Sequence, residues 1–283
     1  MLGWLVEQRP ARSDRVSAAD DHKLSRMPGP VKTEAVVLRS GTVDGLTKGE
    51  IQAQVLEGLQ GDKRHRARSR FGGRLEPFFR LRIELHEGRG ELLTVTGAQT
   101  VNAHPSLRGD AGALDAAARA CDAVGRLFET SEPHPGVFNL LCRKLSLLDE
   151  DPAGATRALA LAFRLKLLLA AGLAPQLGAC ACCGEREHLV GFSGAAGGVV
   201  CSACEAGAFA IDRQAHAFMT EALGRPLEDA PGGEERVLGQ VERAVSETLE
   251  HHAHVRLMPA ADRRSKGSPM GRRRPQPLPQ SAV

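Results

Sequence analysis

The spacing of four cysteines constrains this chain more than any other feature. Cys180 and Cys183 form one C-x2-C pair, and Cys201 and Cys204 form a second pair after 17 intervening residues. Each pair can close a tight turn that directs both sulfurs to one point, and two such turns supply the four thiolates that structural zinc prefers. We therefore predict a zinc finger at residues 178–207 that holds one structural Zn2+ per chain, with iron in the same thiolate shell as the alternative.

Other uses of paired cysteines fit this sequence less well. Two disulfides would leave three of the seven cysteines over, in a chain with no visible secretory signal. A thioredoxin-like site needs one pair inside a βαβ pattern, and a zinc deaminase needs P-C-x-x-C with an upstream H-x-E; neither pattern is visible here. Because four protein thiolates leave no coordination position for water or substrate, we expect no catalysis at the metal.

The remaining cysteines and the histidines have simpler interpretations than a metal site. Cys182 lies inside the first turn as a bystander, while Cys121 and Cys142 are expected to be small core residues of helices. His188 is a conceivable alternative ligand, but four thiolates already complete the shell. Three histidines close to the end of the last predicted helix do not share one face, so we expect an exposed helix end there: His251, His252 and His254.

The composition predicts a soluble globular chain that is long enough for two domains. The 283 residues are 42% hydrophobic and 25% charged, and a net charge of +3 does not by itself indicate a nucleic-acid-binding protein. Aromatic residues make up only 4% of the chain, which limits the platforms on which bases stack. The most apolar stretch, at 158–171, contains Arg164 and Lys166 and is too short to cross a bilayer. We therefore expect a cytoplasmic protein with reduced thiols and no membrane partner.

The pattern of the sequence changes along the chain and predicts an α+β protein. Residues 1–30 are polar and are predicted to be a disordered extension, with Met27 as an alternative start. Residues 31–106 are predicted to form a small β domain, because VKTEAVVLRS is β-prone and Leu81, Ile83 and Leu85 alternate with polar residues in a hairpin at 77–101. Residues 107–257 are predicted to form a helical domain that contains the zinc finger, and residues 258–283 a disordered basic tail.

Five helical segments are predicted in the second domain. Three precede the zinc finger, at 114–128, 135–148 and 155–172, and two follow it, at 212–222 and 234–251. The segment at 155–172 is apolar nearly all round, so it is predicted to be the central buried helix, ending at Gly172 with Pro175 beyond. The chain has no P-loop, no dinucleotide-binding motif and no defensible pair of catalytic carboxylates. We therefore expect neither an enzyme nor a small-molecule substrate.

A basic segment at residues 63–74 is the best candidate for contact with an anionic partner. Six of its twelve residues are Lys or Arg and none is acidic. Arg64, Arg66, Arg68 and Arg70 alternate, so an extended chain would direct them to one side, as a phosphate track requires. The alternative is a solvated loop. For base stacking the local candidates are Phe71, Phe78 and Phe79, although either of the last two would serve equally as a core residue.

Four stretches together resemble the RecO family of bacterial recombination mediators in DNA repair. They are VKTEAVVLRS at 31–40, RSRFGGRLEPF at 68–78, GLAPQLGACACCG at 172–184 and FSGAAGGVVCSAC at 192–204. Their order and separation are also similar to that family, over roughly residues 31–257. The second and fourth stretches are fairly specific.

The resemblance implies an N-terminal OB-fold, a helical domain with an inserted zinc finger, and a cytoplasmic bacterial protein that associates with the nucleoid during repair. It further implies binding to single- and double-stranded DNA, annealing of complementary strands, and action with RecR to load RecA on strands covered by single-stranded-DNA-binding protein. The acidic tail of that binding protein would be recognised by the helical domain. Taken together with the basic segment, the resemblance implies these DNA-contact residues: Lys32, Arg39, Lys63, Arg64, Arg66, Arg68, Arg70 and Arg74.

Residues 41–62 depart from the family pattern. The family places two strand-forming runs there, whereas GTVDGLTKGEIQAQVLEGLQGD has a helical or irregular preference. One hypothesis is a local reading-frame disturbance in the gene, which resequencing would test, and the OB-fold would then be incomplete. A different function also fits the modest charge, namely a zinc-stabilised interaction or regulatory module that does not bind DNA.

Overall fold

The computed structural model describes residues 4–7, 31–38, 76–87, 93–128 and 134–260. Within these ranges the chain is a mixed α+β protein, as predicted. Residues 41–62, the candidate stacking residue Phe71 and most of the predicted DNA contacts lie outside them. The contacts concerned are Arg39, Lys63, Arg64, Arg66, Arg68, Arg70 and Arg74.

The N-terminal part forms a four-stranded antiparallel sheet in the order β1-β2-β3-β4. The strands are β1 Trp4–Glu7, β2 Val31–Val37, β3 Arg80–Glu87 and β4 Leu93–Asn102. Strand β2 and the antiparallel pair β3–β4 confirm the predicted first strand and hairpin. Strand β1 is a correction, because it lies in the stretch predicted to be disordered. Its sequence WLVE is a short apolar, β-prone run that pairs with β2.

Side chains of β2 and β3 alternate between the two faces of the sheet. Leu81 and Ile83 are buried and pair with Ala35 and Thr33 of β2, whereas Arg82 is exposed on the other face. This is the period of two on which the hairpin prediction depended. The four described strands form an open sheet rather than a closed barrel, so the OB-fold stays a prediction.

Six α-helices follow in the described part of the chain. They are α1 Pro105–Gly109, α2 Ala111–Leu127, α3 Pro135–Glu150, α4 Arg157–Ala170, α5 Arg213–Gly224 and α6 Glu235–His252. Side-chain caps explain where three of them begin, since Asp110, Thr156 and Asp212 accept hydrogen bonds from the first-turn N–H groups of α2, α4 and α5. All five predicted helical segments are confirmed. The short helix α1 was not predicted.

Helix α4 is the centre of the helical part, as its apolar sequence predicts. Leu161, Phe163, Leu165 and Leu168 are all buried, and the helix packs against α2, α3, α5 and α6. It ends before Gly172, whose φ of 73° is a left-handed conformation that favours glycine.

A small three-stranded sheet is inserted between α4 and α5. Its strands are β5 Leu189–Ser193, β6 Gly198–Cys201 and β7 Phe209–Ala210, in the order β6-β5-β7. This hairpin and its flanking turns carry the cysteine pairs.

One continuous apolar core joins these parts. It contains Val36 and Phe78 from the N-terminal sheet, the interior of the helices, and Phe192 and Val199 from the inserted sheet. Both Phe78 and Phe79 are buried, which assigns them to the core rather than to base stacking. No helix in the described ranges is long and apolar enough to span a membrane.

The packed structure extends slightly beyond the predicted start of the basic tail at residue 258. Ala260 is buried, and its N–H donates a hydrogen bond to Glu242 of α6. The backbone oxygen of Met258 accepts a hydrogen bond from Arg164. Arg119 also donates to the backbone oxygen of Pro259 at 3.0 Å. The prediction is therefore wrong for residues 258–260, because their backbone is held by three charged side chains of the helices.

Candidate metal centre

The two cysteine pairs meet at one point. The Sγ atoms of Cys180, Cys183, Cys201 and Cys204 all lie within 4.8 Å of one another, and those of Cys183 and Cys201 are 3.7 Å apart. A tetrahedral zinc with Zn–S bonds of about 2.3 Å requires sulfurs about 3.8 Å apart. A disulfide would bring two sulfurs to about 2.05 Å, and all seven cysteines are free. The cluster therefore has the dimensions of a four-thiolate metal site.

A turn with a left-handed glycine builds the first half of the cluster. The N–H of Cys180 donates to the backbone oxygen of Glu185 at 2.6 Å, and the N–H of Gly184 donates to that of Cys180 at 2.9 Å. Gly184 has a φ of 80°, which a residue with a side chain rarely adopts. This turn places the side chains of Cys180 and Cys183 on the same side.

The second half of the cluster begins at the last residue of β6, which is Cys201. The N–H of Cys204 donates to the backbone oxygen of Cys201 at 3.0 Å, which closes the turn between the two ligands. Because β6 pairs with β5 in a hairpin, the strand fixes the position of this turn relative to the first.

Backbone N–H groups and neighbouring thiols shift the pKa values of Cys180 and Cys204 in opposite directions. Hydrogen bonds from backbone N–H groups, above all that of Cys201, lower the pKa of Cys180 to about 6. The adjacent Cys183 side chain raises the pKa of Cys204 to about 12. Without a cation the cluster therefore favours one thiolate and resists further ionisation. A bound divalent cation would favour the thiolate form of all four and release their protons.

The other cysteines take no part in the cluster. Cys182 is exposed and its sulfur is not among the four that meet. Cys121 and Cys142 are buried in α2 and α3, as predicted. Burial raises the pKa of Cys121 far above its ordinary value, so this thiol is unreactive at neutral pH.

Histidines near the inserted sheet have structural contacts. The backbone oxygen of His188 accepts a hydrogen bond from the N–H of Ser202, and its side chain is not part of the described ligand group. Nε2 of His252 lies 2.7 Å from the backbone oxygen of Gly194. Both His251 and His254 are exposed at the end of α6, as expected.

Close backbone contacts fix the inserted sheet on the helices. A Cβ atom on Gly194 would lie 2.5 Å from Cβ of Glu247 in α6, and one on Gly198 would lie 2.3 Å from the backbone oxygen of Gln176. Arg243 of α6 also lies over the ring of Phe209, 4.2 Å from its centroid. Gly194 thus serves the approach of the metal module to α6, and Gly198 serves the approach of β6 to the segment before the first cysteine turn. The sequence alone did not reveal these roles.

Among the predicted DNA contacts, Lys32 is the one that the described residues include. It is exposed in β2, and its Nζ lies 3.0 Å from a carboxylate oxygen of Glu84 in β3. Such an exposed pair contributes little to stability. The neighbouring Glu34 forms ion pairs with Arg80 and Arg82. Partial burial acts to raise the pKa of Glu34, but these two arginines outweigh it and lower the pKa below its usual value.

Lys144 and Arg164 are buried charged residues that sequence reasoning did not identify as special. Their accessible fractions are 1% and 5%. The sequence signal that could have indicated their burial is their position among the apolar residues of each helix. Lys144 falls on the apolar stripe of α3 between Leu141 and Leu148, and Arg164 interrupts the apolar α4.

Known proteins match the chain over both the helical part and the metal module. The family model described as recombination protein O C terminal matches residues 108–258, a range that contains all four cluster cysteines. A DNA repair protein RecO from Anaeromyxobacter sp. (strain K) is 36% identical over 206 residues, covering 68% of this chain and 78% of the relative. A relative of the same name from Geobacter sulfurreducens is 34% identical and covers 62% of this chain and 73% of its own length. Another from Myxococcus xanthus is 37% identical and covers 49% of this chain and 57% of its own length.

Proposed function

Because the chain belongs to the RecO family, we propose that it acts in DNA repair as a non-enzymatic recombination mediator. In this role it binds single- and double-stranded DNA and anneals complementary strands. With RecR it helps to load RecA onto strands covered by single-stranded-DNA-binding protein. Family membership is the observation that carries this proposal.

The proposed mechanism is electrostatic capture of strands by the β domain. At one end of the β2–β3 pair, the N–H of Val37 donates to the backbone oxygen of Phe79 at 3.1 Å and the N–H of Phe78 donates to that of Val37 at 2.8 Å. In the sequence, the basic segment at 63–74 ends four residues before Phe78, so we propose that it contacts DNA near this end. Lys32 lies at the other end of β2, about 17 Å away at ~3.3 Å per residue. A bound strand that reaches both would follow the length of the sheet.

The proposed organisation assigns separate roles to the two halves. Residues 31–106 would form the OB-fold-like β domain. Residues 107–257 would form the helical domain, which docks RecR and the acidic tail of single-stranded-DNA-binding protein. The zinc finger at 178–207 would hold one structural Zn2+ through Cys180, Cys183, Cys201 and Cys204, and the basic tail would begin after residue 260.

Paired substitutions in the basic segment test the DNA contact. Arg68→Ala combined with Arg70→Ala should weaken single-strand binding and reduce its salt slope by about 1.4, because each lost phosphate contact removes ~0.7 on single strands. Fluorescence anisotropy with a labelled oligonucleotide measures both the affinity and its salt slope. A range of about 50 to 200 mM salt is suitable, because phosphate contacts weaken strongly over it. The annealing rate of complementary strands should fall in parallel.

The matched control is Arg225→Ala with Arg256→Ala, which removes the same charge from exposed positions of the helical part. Equal losses in both double variants would mean that only net charge matters. An unchanged salt slope in the first would identify the basic segment as a solvated loop.

A second candidate function is a zinc-stabilised interaction module without DNA binding. The low net charge of +3 and the scarcity of aromatic residues favour it. Wild-type protein that binds no oligonucleotide at low salt, while still binding RecR, would support this candidate over the mediator.

A further inference from the structure

A small cavity between α2, α3 and α4 is surrounded by positive charge. Its volume is about 20 Å3, which is room for one water molecule or one small ion. The charged residues that line it are Arg119, Lys144 and Arg164, and the rest of the lining is four alanines and Phe163. The lining side chains therefore include three cations and no acceptor.

The ammonium group of Lys144 has no partner in this cavity. Its accessible fraction is 1%, and no acceptor in the described ranges lies within hydrogen-bonding distance of Nζ. A buried charge without a partner is strongly unfavourable, so the group must either lose its proton or gain an acceptor.

The nearby carboxylates are already engaged by other groups. Glu242 of α6 accepts from Arg157, Arg164 and the N–H of Ala260. In α2, Asp115 is bound by Arg119 and Asp122 by Arg126. Glu235 is bound by Arg157. The cavity thus lies in a region where cations outnumber the carboxylates that face them.

We propose that this cavity binds one small monovalent anion, of the size of chloride or formate, which bridges Lys144 of α3 to the arginines of α2 and α4. The ion supplies the acceptor that the lining lacks and offsets the mutual repulsion of the three cations. It thereby ties the three helices together at the centre of the helical part.

The proposal has a pH dependence whose sign follows from Lys144. Burial, followed by the charge of Arg164, lowers the pKa of Lys144 from 10.5 to about 7. Without an anion, stability falls as the pH drops from about 10 to about 7, because the unfolded chain takes up a proton that the folded chain does not. Below about pH 7 the folded chain also carries the charge, and the anion binds most strongly there.

Thermal unfolding of the full chain in different sodium salts at equal ionic strength tests the proposal. Chloride and formate should raise the Tm at pH 6 above its value in gluconate, by about 3 °C at ten times the dissociation constant. The difference should shrink at pH 9. Lys144→Met should abolish it, whereas Lys166→Met should preserve it, because Nζ of Lys166 already has the backbone oxygen of Leu223 at 3.4 Å.

Three results would overturn the proposal. Equal Tm values in chloride, formate and gluconate at pH 6 would leave only a water molecule in the cavity. A full chloride effect in Lys144→Met would place the anion elsewhere. Because a variant can misfold, a bromide derivative of wild-type crystals provides a direct measurement, and an anomalous peak beside Nζ of Lys144 is the expected result. Absence of that peak would also count against the site.

Discussion

Single residues in this chain show two ways in which a fold accommodates groups that are costly to bury. The cluster cysteines lie at turns, where backbone N–H groups stabilise a thiolate and lower the pKa of Cys180. Lys144 lies on the apolar stripe of a helix, where burial lowers its pKa instead. The first environment favours a cation and the second an anion. Both can be tested by changing one side chain at a time.

The metal centre makes a prediction at a single sulfur. Cys183→Ser should prevent stable metal binding and lower the free energy of unfolding by at least about 3 kcal/mol, because structural zinc contributes ~10–16 kcal/mol to the folding of small zinc domains. The helical part should lose much of its circular dichroism signal at a lower temperature than in the wild type. Metal content by mass spectrometry should fall from one ion per chain.

The neighbouring Cys182 provides the control for this experiment. It is exposed and its sulfur lies outside the cluster, so Cys182→Ser should retain both metal and Tm. A wild-type melting curve in Cys183→Ser would contradict a structural metal at this site.

At the scale of elements, the inserted sheet depends on glycine for its contact with α6. Gly194→Ala would place a Cβ 2.5 Å from Cβ of Glu247 and 2.7 Å from its backbone carbon. The helix backbone cannot yield easily, so we expect a loss of about 1–3 kcal/mol in the free energy of unfolding. Denaturant titration followed by circular dichroism measures this loss.

Gly239→Ala is the control because Gly239 lies in α6, the helix that Gly194 approaches, and a Cβ there meets nothing within 4 Å. This substitution should stabilise the protein by about 0.5–1 kcal/mol through the entropy of the unfolded chain. If both alanine variants had the same stability, the close approach of β5–β6 to α6 would not matter.

The elements also show why some predictions from sequence succeeded. The five helical segments were predictable because apolar residues recur at helical spacing. In the structure, side-chain caps at Asp110, Thr156 and Asp212 begin three of them. The cysteine cluster was predictable because C-x2-C spacing imposes local geometry. Both signals lie within a few residues along the chain.

The missed features depend on contacts distant in sequence. Strand β1 pairs with β2 and contacts α3, and Gly194 matters because Glu247 approaches it. Lys144 has the propensity of any helical lysine, and its burial follows from how α2 and α4 pack on α3. For β1 and Gly194 no local pattern encodes the contact, and for Lys144 the position on an apolar stripe was the local signal, while the cavity beside it depends on the packing of three helices.

At the scale of the whole molecule, the N-terminal sheet and the helices are joined rather than merely linked. His104 is buried at the start of α1, and its Nδ1 lies 2.8 Å from the backbone oxygen of Phe78. Both residues have left-handed φ angles, 46° and 70°, which the surrounding packing must hold in place. Arg80 of β3 also lies over the ring of Phe138 in α3, 5.7 Å from its centroid.

These contacts predict that the sheet and the helices unfold as one cooperative unit. His104→Ala leaves the backbone oxygen of Phe78 without its donor and should cost about 1–3 kcal/mol. Hydrogen-exchange mass spectrometry should then show equal losses of protection in peptides from β2–β3 and from α3, whereas His251→Ala, at the exposed end of α6, should change neither. Loss of protection in the sheet alone would mean that the two parts fold independently.

His104 also predicts a pH dependence of stability. Burial lowers the pKa of His104 below 6.5, so the unfolded chain binds a proton that the folded chain excludes. Wild-type stability should therefore fall as the pH drops below about 6.5, and His104→Ala should remove this effect.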